Sequence, residues 1–377
     1  MLSVLPLPEI ICRPGALADL AHRLRRLGSS RPLIITDPGV QAAGLVDRLT
    51  QVLRDANISH ALFAKVEADP PSHVVEAAVA SGREHGVDSV IGFGGGSSLD
   101  VAKLAALLLR SPQPLTAIFG HSKAVGPRLP LIQIPTTAGT GSEVTPTSVI
   151  SVGDFDKRGV ISRTLICDDA LLDPELTVGL PPSVTAATGM DALTHAIEAL
   201  TTRHLRNAMS DALAIKAIAL IGGNIQRAVT DGHDIDARMA MMEGATMAGI
   251  AFANAPVGAV HALAHPLGDS RFKVPHGLAN ALLLPHVISF NTPAAEQEYA
   301  RVSQALGWNG DAHDLPQRLI QLNAILKLPA GLQAIGIREE DLPTLVDEGM
   351  KVDRLLANNV RIVTRDDAAT IFQSAWR

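Results

Sequence analysis

Residues 89–109 have the sequence SVIGFGGGSSLDVAKLAALLL, which shows the pattern that recurs through the first half of the chain. The aliphatic run SVIGF ends in glycines, and LDVAKLAALLL is rich in residues that favour a helix. Two similar runs, PLIIT at 32–36 and LPLIQI at 129–134, also end in turn residues, and helical stretches such as VVEAAVASGREHG lie between the runs. This alternation predicts an α/β fold with a largely parallel sheet.

The second half of the chain follows a different pattern. From Pro182 onward, long segments rich in Ala, Leu and Met recur at helical period, with almost no strand signal. The stretch LLDPELTVGLPPSV at 171–184 contains two proline breaks and separates the two patterns. We therefore predict an α/β domain over residues 1–181 and an all-α domain over residues 182–377.

Composition narrows the functional class. The 377 residues are 47% hydrophobic and 19% charged, which suits two domains with large cores. A net charge of -6 with no basic run argues against nucleic-acid and anionic membrane partners, so we expect small-molecule ligands.

The cysteines and the apolar segments indicate where in the cell the protein is expected to be. Only Cys12 and Cys167 are present, far apart, which excludes a disulfide framework and a thiolate zinc site. The N-terminus has no basic leader, and no apolar run approaches the roughly 18 residues of a membrane span. We expect a cytoplasmic protein that does not bind a membrane.

The glycine loop has two interpretations. Gly94, Gly95, Gly96 and Ser97 follow a strand and open a helix, where backbone N–H groups can bind a phosphate. Ser97 is expected to cap that helix, with Asp100 three residues further on facing back. The alternative is a tight turn with ordinary capping, because position 97 is serine where the usual dinucleotide fingerprint has glycine.

A second loop, PTTAGTGS at 135–142, follows the next strand and favours a long ligand. It offers hydroxyl groups to a second phosphate or a ribose, from Thr136, Thr137, Thr140 and Ser142. Asp37, at the end of PLIIT, could accept hydrogen bonds from both ribose hydroxyls and would repel a 2′-phosphate, which favours NAD over NADP. An Asx turn before Pro38 is the alternative role for Asp37.

Asp191 and His195 point to a metal. They lie four residues apart in TGMDALTHAIEA at 188–199, so on a helix their Cβ atoms are roughly 6 Å apart, within reach of one divalent cation. His261, His265 and His276 follow in VHALAHPLGDSRFKVPHG at 260–277. The surroundings are apolar, and one cation would account for several of these polar side chains.

Five motifs carry a family resemblance: GGGSSLDVAK at 94–103, PTTAGTGSEVT at 135–145, DALTHAIEA at 191–199, HALAHPLG at 261–268 and PHGLANALLLPH at 275–286. In order and spacing they resemble the iron-containing, group III alcohol dehydrogenases, over nearly the whole chain. The resemblance implies a Rossmann-like dinucleotide-binding N-terminal domain, an all-α metal-binding C-terminal domain and an active site in the cleft between them.

The resemblance also implies roles for single residues. Asp191, His195, His261 and His276 would bind the metal, and His265 would lie beside the nicotinamide as a proton-relay candidate. The implied cofactor positions are Asp37, Gly95, Gly96, Ser97, Asp100, Thr136, Thr137 and Thr140, to which the two loops add Gly94 and Ser142. His265 has two further interpretations, as a competing ligand four residues after His261 and as a histidine at a helix end before Pro266.

The expected activity is hydride transfer between NAD(H) and a small primary alcohol or its aldehyde, in a homodimer. A bound cation would lower the pKa of the alcohol, and three imidazoles with one carboxylate leave coordination positions open, as a catalytic site requires. The resemblance favours Fe(II), although ligand type alone does not separate it from Zn(II). The alternatives are a non-redox lyase similar to dehydroquinate synthase and an enzyme similar to maleylacetate reductases.

Two features fall outside this pattern. The segment from Asp269 to Val274 is about one residue longer than is usual in the family, and its Arg271 and Lys273 favour an acidic substrate such as a carboxylate- or phosphonate-bearing aldehyde. Glu198, one turn beyond His195, either orients a metal ligand or forms a salt bridge to an arginine.

Overall fold

The computed structural model of the chain describes residues 4–153, 157–269, 271–308 and 311–377. These residues form two compact units. The first comprises Leu5–Thr137 and Gly141–Gly179, and the second comprises Val4, Ala138–Thr140 and Leu180–Arg377.

The first unit holds every strand that is found in the described residues. The strands are β1 Glu9–Cys12, β2 Pro32–Ile35, β3 Ala61–Phe63, β4 Ser89–Gly94, β5 Gly120–His121, β6 Leu131–Pro135, β7 Thr147–Ser151, β8 Lys157–Ile161 and β9 Asp169–Leu172. Six of them form one sheet in the order β1-β9-β6-β4-β2-β3, and every neighbouring pair in it is parallel. The predicted strands β2, β4 and β6 and the parallel sheet are confirmed.

A second, three-stranded sheet has the order β5-β8-β7, with an antiparallel β7–β8 pair. It was not predicted. Its strands are short, and β7 and β8 are only half-buried, so they lack the continuous aliphatic run that marks β2, β4 and β6.

Five α-helices lie in the described residues of the first unit: α1 Leu20–Arg26, α2 Pro38–Ala42, α3 Leu45–Asp55, α4 Ser72–Glu84 and α5 Gly96–Arg110. Ile34, Ile91 and Ile132 lie on one face of the large sheet and form a core with buried leucines of α1 and α3. On the other side of the sheet, α5 packs against β4 and α4. Each fully buried aliphatic side chain contributes roughly 1.5–3 kcal/mol, so both layers hold the carboxyl ends of β2, β4 and β6 at one edge.

The described part of the second unit is helical. Its helices are α6 Pro182–Thr201, α7 Ala208–Thr230, α8 Ile235–Asn254, α9 Ala259–Ala264, α10 His276–Ala305, α11 Leu315–Ile325, α12 Leu342–Met350, α13 Asp353–Leu356 and α14 Arg365–Trp376. Helix α6 lies in the middle, packed against α7, α8 and α10, and nearly all of its side chains from Thr185 onward are buried. This confirms an α/β region followed by an all-helical region.

Helix α7 is long and apolar enough to cross a membrane by length and composition, and α8 with the segment 259–268 passes the same test only as a pair bent by 102°. Core helices of other proteins have the same properties. Since α7 packs against α6 and α8, its apolar composition is weak evidence for a membrane span.

Candidate active site

Helix α6 carries Asp191 and His195 on consecutive turns, both buried. Burial alone would raise the pKa of Asp191, but the nearby imidazoles of His195, His276 and His261, with the Asn280 amide, hold this pKa below its ordinary value. The carboxylate is therefore charged in the interior, where a cation would neutralise it.

Asp191 is joined by two histidines from other helices, His261 on α9 and His276 at the first position of α10. Asp191 Oδ1 lies 3.9 Å from His261 Nε2 and 3.8 Å from His276 Nε2. The three potential ligand atoms all lie within 4.8 Å of one another, a spacing that fits coordination of one ion.

A close helix contact produces this convergence. A Cβ atom added to Gly277 would lie 2.3 Å from the carbonyl oxygen of Ala187 on α6 and 3.1 Å from Cβ of Asp191. Because only glycine permits this approach, the first turn of α10 can lie against α6, and His276 is placed beside Asp191.

His195 adjoins the cluster but does not belong to the group of mutually close ligand atoms. Its ring stacks between Phe252, at 4.4 Å between centroids, and His261, at 4.6 Å. Burial lowers the pKa of His195 to about 3, so the ring is neutral, and its buried Nδ1 has no hydrogen-bond partner among the described residues. A neutral imidazole with an unsatisfied nitrogen fits a metal ligand.

Asn280, one turn after His276, was not predicted from the sequence. Its Nδ2 lies 2.7 Å from Asp191 Oδ1 and 3.2 Å from Nε2 of both His261 and His276. The side chain is fully buried, and its Oδ1 has no partner in the described part of the chain. An amide four residues after a candidate ligand on a helix was the only available sequence signal.

His265 lies directly after α9, where a 3-10 turn over His265–Gly268 begins. Its half-buried ring is 6.3 Å from the ring of His276 between centroids. Because α9 ends at Ala264, His265 does not lie on the same regular helix as His261, although the two are four residues apart.

The glycine loop lies at the carboxyl end of β4. Gly94 has φ +153°, and an added Cβ would lie 2.7 Å from Ser98 Oγ and 3.0 Å from Asp37 Oδ2, so only glycine fits. The expectation that Ser97 caps the helix is wrong: α5 begins at Gly96, and its N-cap, Gly95, has no side-chain cap. The N–H groups of the first turn thus remain uncapped by a side chain.

The second loop and Asp37 lie at the same edge of the sheet. Pro135 pairs with Gly94 in the register of β4 and β6, and the backbone N–H of Thr136 donates to the carbonyl of Gly94 over 3.0 Å. Asp37, after β2, accepts from Val40 N at 3.0 Å and from Ser98 Oγ at 3.2 Å. Asp37 is therefore the N-cap of α2, and its bond goes to Val40, three residues on, rather than to Gly39 as in an Asx turn.

Other predicted cofactor residues support the loops. Ser142 donates to Asp100 Oδ1 over 2.6 Å and accepts from the ammonium of Lys103 over 2.7 Å. Lys103 is fully buried and also donates to the carbonyl of Thr147 over 2.5 Å, and burial lowers its pKa. Thr140 belongs to the short segment that groups with the helical unit.

The positive charge of Arg271 and Lys273, shortly before His276, is partly neutralised. Arg271 forms an ion pair with the buried carboxylate of Asp341, and its guanidinium lies over the ring of Phe272 at 4.9 Å. Lys273 is exposed and has a left-handed backbone conformation with φ 53°. Of the two cations that favoured an acidic substrate, Arg271 thus has its charge compensated within the chain.

A parallel sheet with a glycine loop and a buried cluster of one carboxylate and histidines are typical of a metal-dependent oxidoreductase that uses a nicotinamide dinucleotide. Residues 8–174 match the model of the iron-containing alcohol dehydrogenases, and residues 185–376 match the C-terminal model of the Fe-containing alcohol dehydrogenase family. This chain belongs to the iron-containing alcohol dehydrogenase family, which confirms the resemblance found in the sequence.

Several members of this family are similar along their whole length. Long-chain-alcohol dehydrogenase 1 of Geobacillus thermodenitrificans is 40% identical over 96% of this chain and 93% of its own. The solved structure of a 1,3-propanediol oxidoreductase has a TM-score of 0.94 at 34% identity, with full coverage of both chains. That of sulfoacetaldehyde reductase from Bifidobacterium kashiwanohense, in complex with NAD+, has a TM-score of 0.90 at 27% identity and covers all of this chain and 98% of its own.

Proposed function

We propose that this protein reduces small aldehydes, or oxidises the corresponding primary alcohols, with a divalent cation held by Asp191, His195, His261 and His276. The observation that carries the proposal is the buried cluster in which ligand atoms of Asp191, His261 and His276 lie within 4.8 Å of one another. Family membership favours Fe(II) as the ion, with Zn(II) as the alternative. Residues 182–377 would form the metal-binding domain, and residues 1–181 the NAD-binding domain.

The candidate side chains are proposed to have different roles in the reaction. When bound, the cation polarises the substrate oxygen, and the nicotinamide accepts or supplies the hydride. Asp191 would supply the anionic donor to the cation, and the imidazoles would supply neutral donors. His265, half-buried near His276, would carry the proton that is exchanged with the substrate oxygen.

The cofactor contacts are proposed for the loops that follow β2, β4 and β6. Neighbouring parallel strands bring these loops to one edge, where the uncapped start of α5 can bind a phosphate. The proposed residues are Asp37, Gly94, Gly95, Gly96, Ser97, Asp100, Thr136, Thr137, Thr140 and Ser142. Asp100 and Ser142 would act by holding the loops, since they already bond to each other.

The charge of Asp37 is expected to set the preference for NADH over NADPH. Asp37→Asn keeps an N-cap residue on α2 but removes the charge that repels a 2′-phosphate. We expect the ratio of kcat/KM for NADPH to that for NADH to rise about 10-fold, equivalent to about 1.4 kcal/mol. Steady-state kinetics with both cofactors measure it, and an unchanged ratio would show that Asp37 only caps α2.

A homodimer in the cytoplasm is also proposed. The cytoplasmic location is supported by the two cysteines, neither of which is in a disulfide in the described residues, and burial raises the pKa of the Cys167 thiol, so that it stays protonated. The dimer is supported by the resemblance alone. Light scattering coupled to size-exclusion chromatography would give the mass of the assembly.

A substrate screen tests the activity. Anaerobically purified protein loaded with Fe(II) or Zn(II) is assayed for NADH oxidation with aldehydes of graded length, each paired with a carboxylated analogue. We expect metal-dependent turnover in which one NADH is consumed per aldehyde. Turnover of a substrate without any net change in nicotinamide absorbance would contradict hydride transfer, whereas a preference for the neutral aldehydes would reject the acidic-substrate hypothesis.

A further inference from the structure

Glu198 lies behind His261. Its Oε2 is 2.6 Å from His261 Nδ1, and its Oε1 accepts a hydrogen bond from the backbone N–H of Val260 over 2.7 Å. Glu198 is on α6, one turn after His195, and is only 6% exposed. One buried carboxylate therefore contacts both the ring of a candidate ligand and the backbone that carries it.

These two hydrogen bonds fix the position and the tautomer of His261. A carboxylate can only accept, so the close Nδ1 must carry the proton. The lone pair of the neutral ring is then on Nε2, the nitrogen that lies 3.9 Å from Asp191 Oδ1. The second bond, to Val260, holds the first turn of α9 and with it the Cα atom of His261.

The alternative predicted for Glu198, a salt bridge to an arginine, is not found among the described residues, where the only ion pair of Glu198 is with His261. The space around the Glu198 carboxylate is small. A Cβ atom added to Gly258 would lie 3.4 Å from Glu198 Oε1, and the adjoining cavity of about 10 Å³ holds one water molecule at most. A buried carboxylate without a lysine or arginine partner is costly, so its retention calls for a specific role.

We propose that Glu198 is a positioning residue of the metal centre, which holds the Nδ1–H of His261 and so directs Nε2 toward the cation. The inference rests on the proposed ligand role of His261. Carboxylates that accept from the second nitrogen of a ligating histidine typically change metal affinity 10- to 100-fold when they are removed.

Glu198→Gln is the test variant. Glutamine has nearly the same shape, but its single carbonyl oxygen can accept from Val260 or from His261, and its NH2 group then opposes the other donor. Thr292→Val is the matched control, because the hydroxyl of this buried threonine bonds to the carbonyl of Ile288 in its own helix, α10. Circular dichroism confirms that each variant is folded.

The first readout is the affinity of the metal-free protein for Co(II) alone, titrated anaerobically against a chelator. We expect roughly 10- to 100-fold weaker binding by Glu198→Gln and wild-type binding by Thr292→Val. The second readout is the tautomer of His261 in metal-free protein, from imidazole 15N shifts at alkaline pH. We expect the Nδ1-protonated form in the wild type and a mixture of tautomers in Glu198→Gln.

The outcomes separate this inference from the proposed function. If the wild type binds no Co(II), the proposed ligand set is wrong. If the wild type binds Co(II) and Glu198→Gln binds it equally, with an unchanged His261 tautomer, the role of Glu198 is overturned. If Glu198→Gln fails to fold, Glu198→Asp is tested instead, since it keeps the charge but has a shorter side chain. Wild-type affinity of Glu198→Asp for Co(II) would then overturn the positioning role of Glu198.

Discussion

Replacing Asp191 with asparagine is expected to abolish binding of the cation. It is also expected to lower kcat/KM for aldehyde reduction at least about 1000-fold. Asp191 is the one carboxylate in the cluster with His261 and His276, and asparagine keeps its shape while removing the negative charge. A bound cation would provide several kcal/mol of transition-state stabilisation as a Lewis acid, and each 1.36 kcal/mol corresponds to a factor of ten in rate. Elemental analysis gives the metal content, and NADH absorbance gives the rate.

The control is Asp347→Asn. Asp347 is an exposed residue of α12 that pairs with Arg365 over 2.8 Å, and its loss should leave both readouts unchanged. Asp191→Asn should still bind NADH, since the proposed cofactor loops follow β2, β4 and β6. Full metal content together with a rate within tenfold of the wild type would show that Asp191 is not a ligand.

Replacing Gly94 with alanine is expected to weaken NADH binding roughly 10- to 100-fold while leaving metal content intact. Gly94 has φ +153°, and the added Cβ would lie within 3.0 Å of Ser98 and Asp37, two residues that flank the proposed phosphate and ribose positions. Backbone strain of this kind costs of order 1–3 kcal/mol, which the loop can relieve only by moving out of its binding geometry. Quenching of protein fluorescence by NADH measures the dissociation constant.

Gly28→Ala controls for a general loss of stability. Gly28 also has a left-handed conformation, with φ +69°, but an added Cβ would meet no atom within 4 Å, and Gly28 follows α1, away from the carboxyl ends of the strands. A similar stability loss without weaker NADH binding is expected there. Equal NADH affinity in Gly94→Ala and the wild type would contradict the phosphate role of the loop.

Much of the fold could be predicted because its signals are local. Strands β2, β4 and β6 are short aliphatic runs, and each is followed by turn residues, so period and composition were enough to place them. The small β5-β8-β7 sheet was missed because its strands are half-buried, and nothing in a half-buried run of two to five residues identifies its partner.

Residue types and spacing pointed to Asp191 and His195, and the family resemblance implied the full set of proposed ligands, whereas their arrangement was not predicted. Four-residue spacing indicated that Asp191 and His195 share a face of α6, yet it is Asp191, His261 and His276 whose ligand atoms converge, while His195 stacks between Phe252 and His261. The error at Ser97 has the same origin. A serine before a helix predicts a cap, but the strand ends at Gly94 and the helix starts at Gly96, two residues earlier than a cap at Ser97 requires.

Local sequence patterns established the alternation of strands and helices, the glycine loop after β4, and the residue types of the carboxylate and histidines that can bind a cation. Each of these depends on backbone preference or side-chain chemistry, which a residue carries wherever it lies. The folded chain was needed to show that Glu198 faces Nδ1 of His261 and that Asn280 contacts three candidate ligands. Apart from the pair Asn280 and His276, which lie one turn apart on α10, these contacts join residues of different helices. Their distances are set by how closely α6, α9 and α10 pack, which no local pattern encodes.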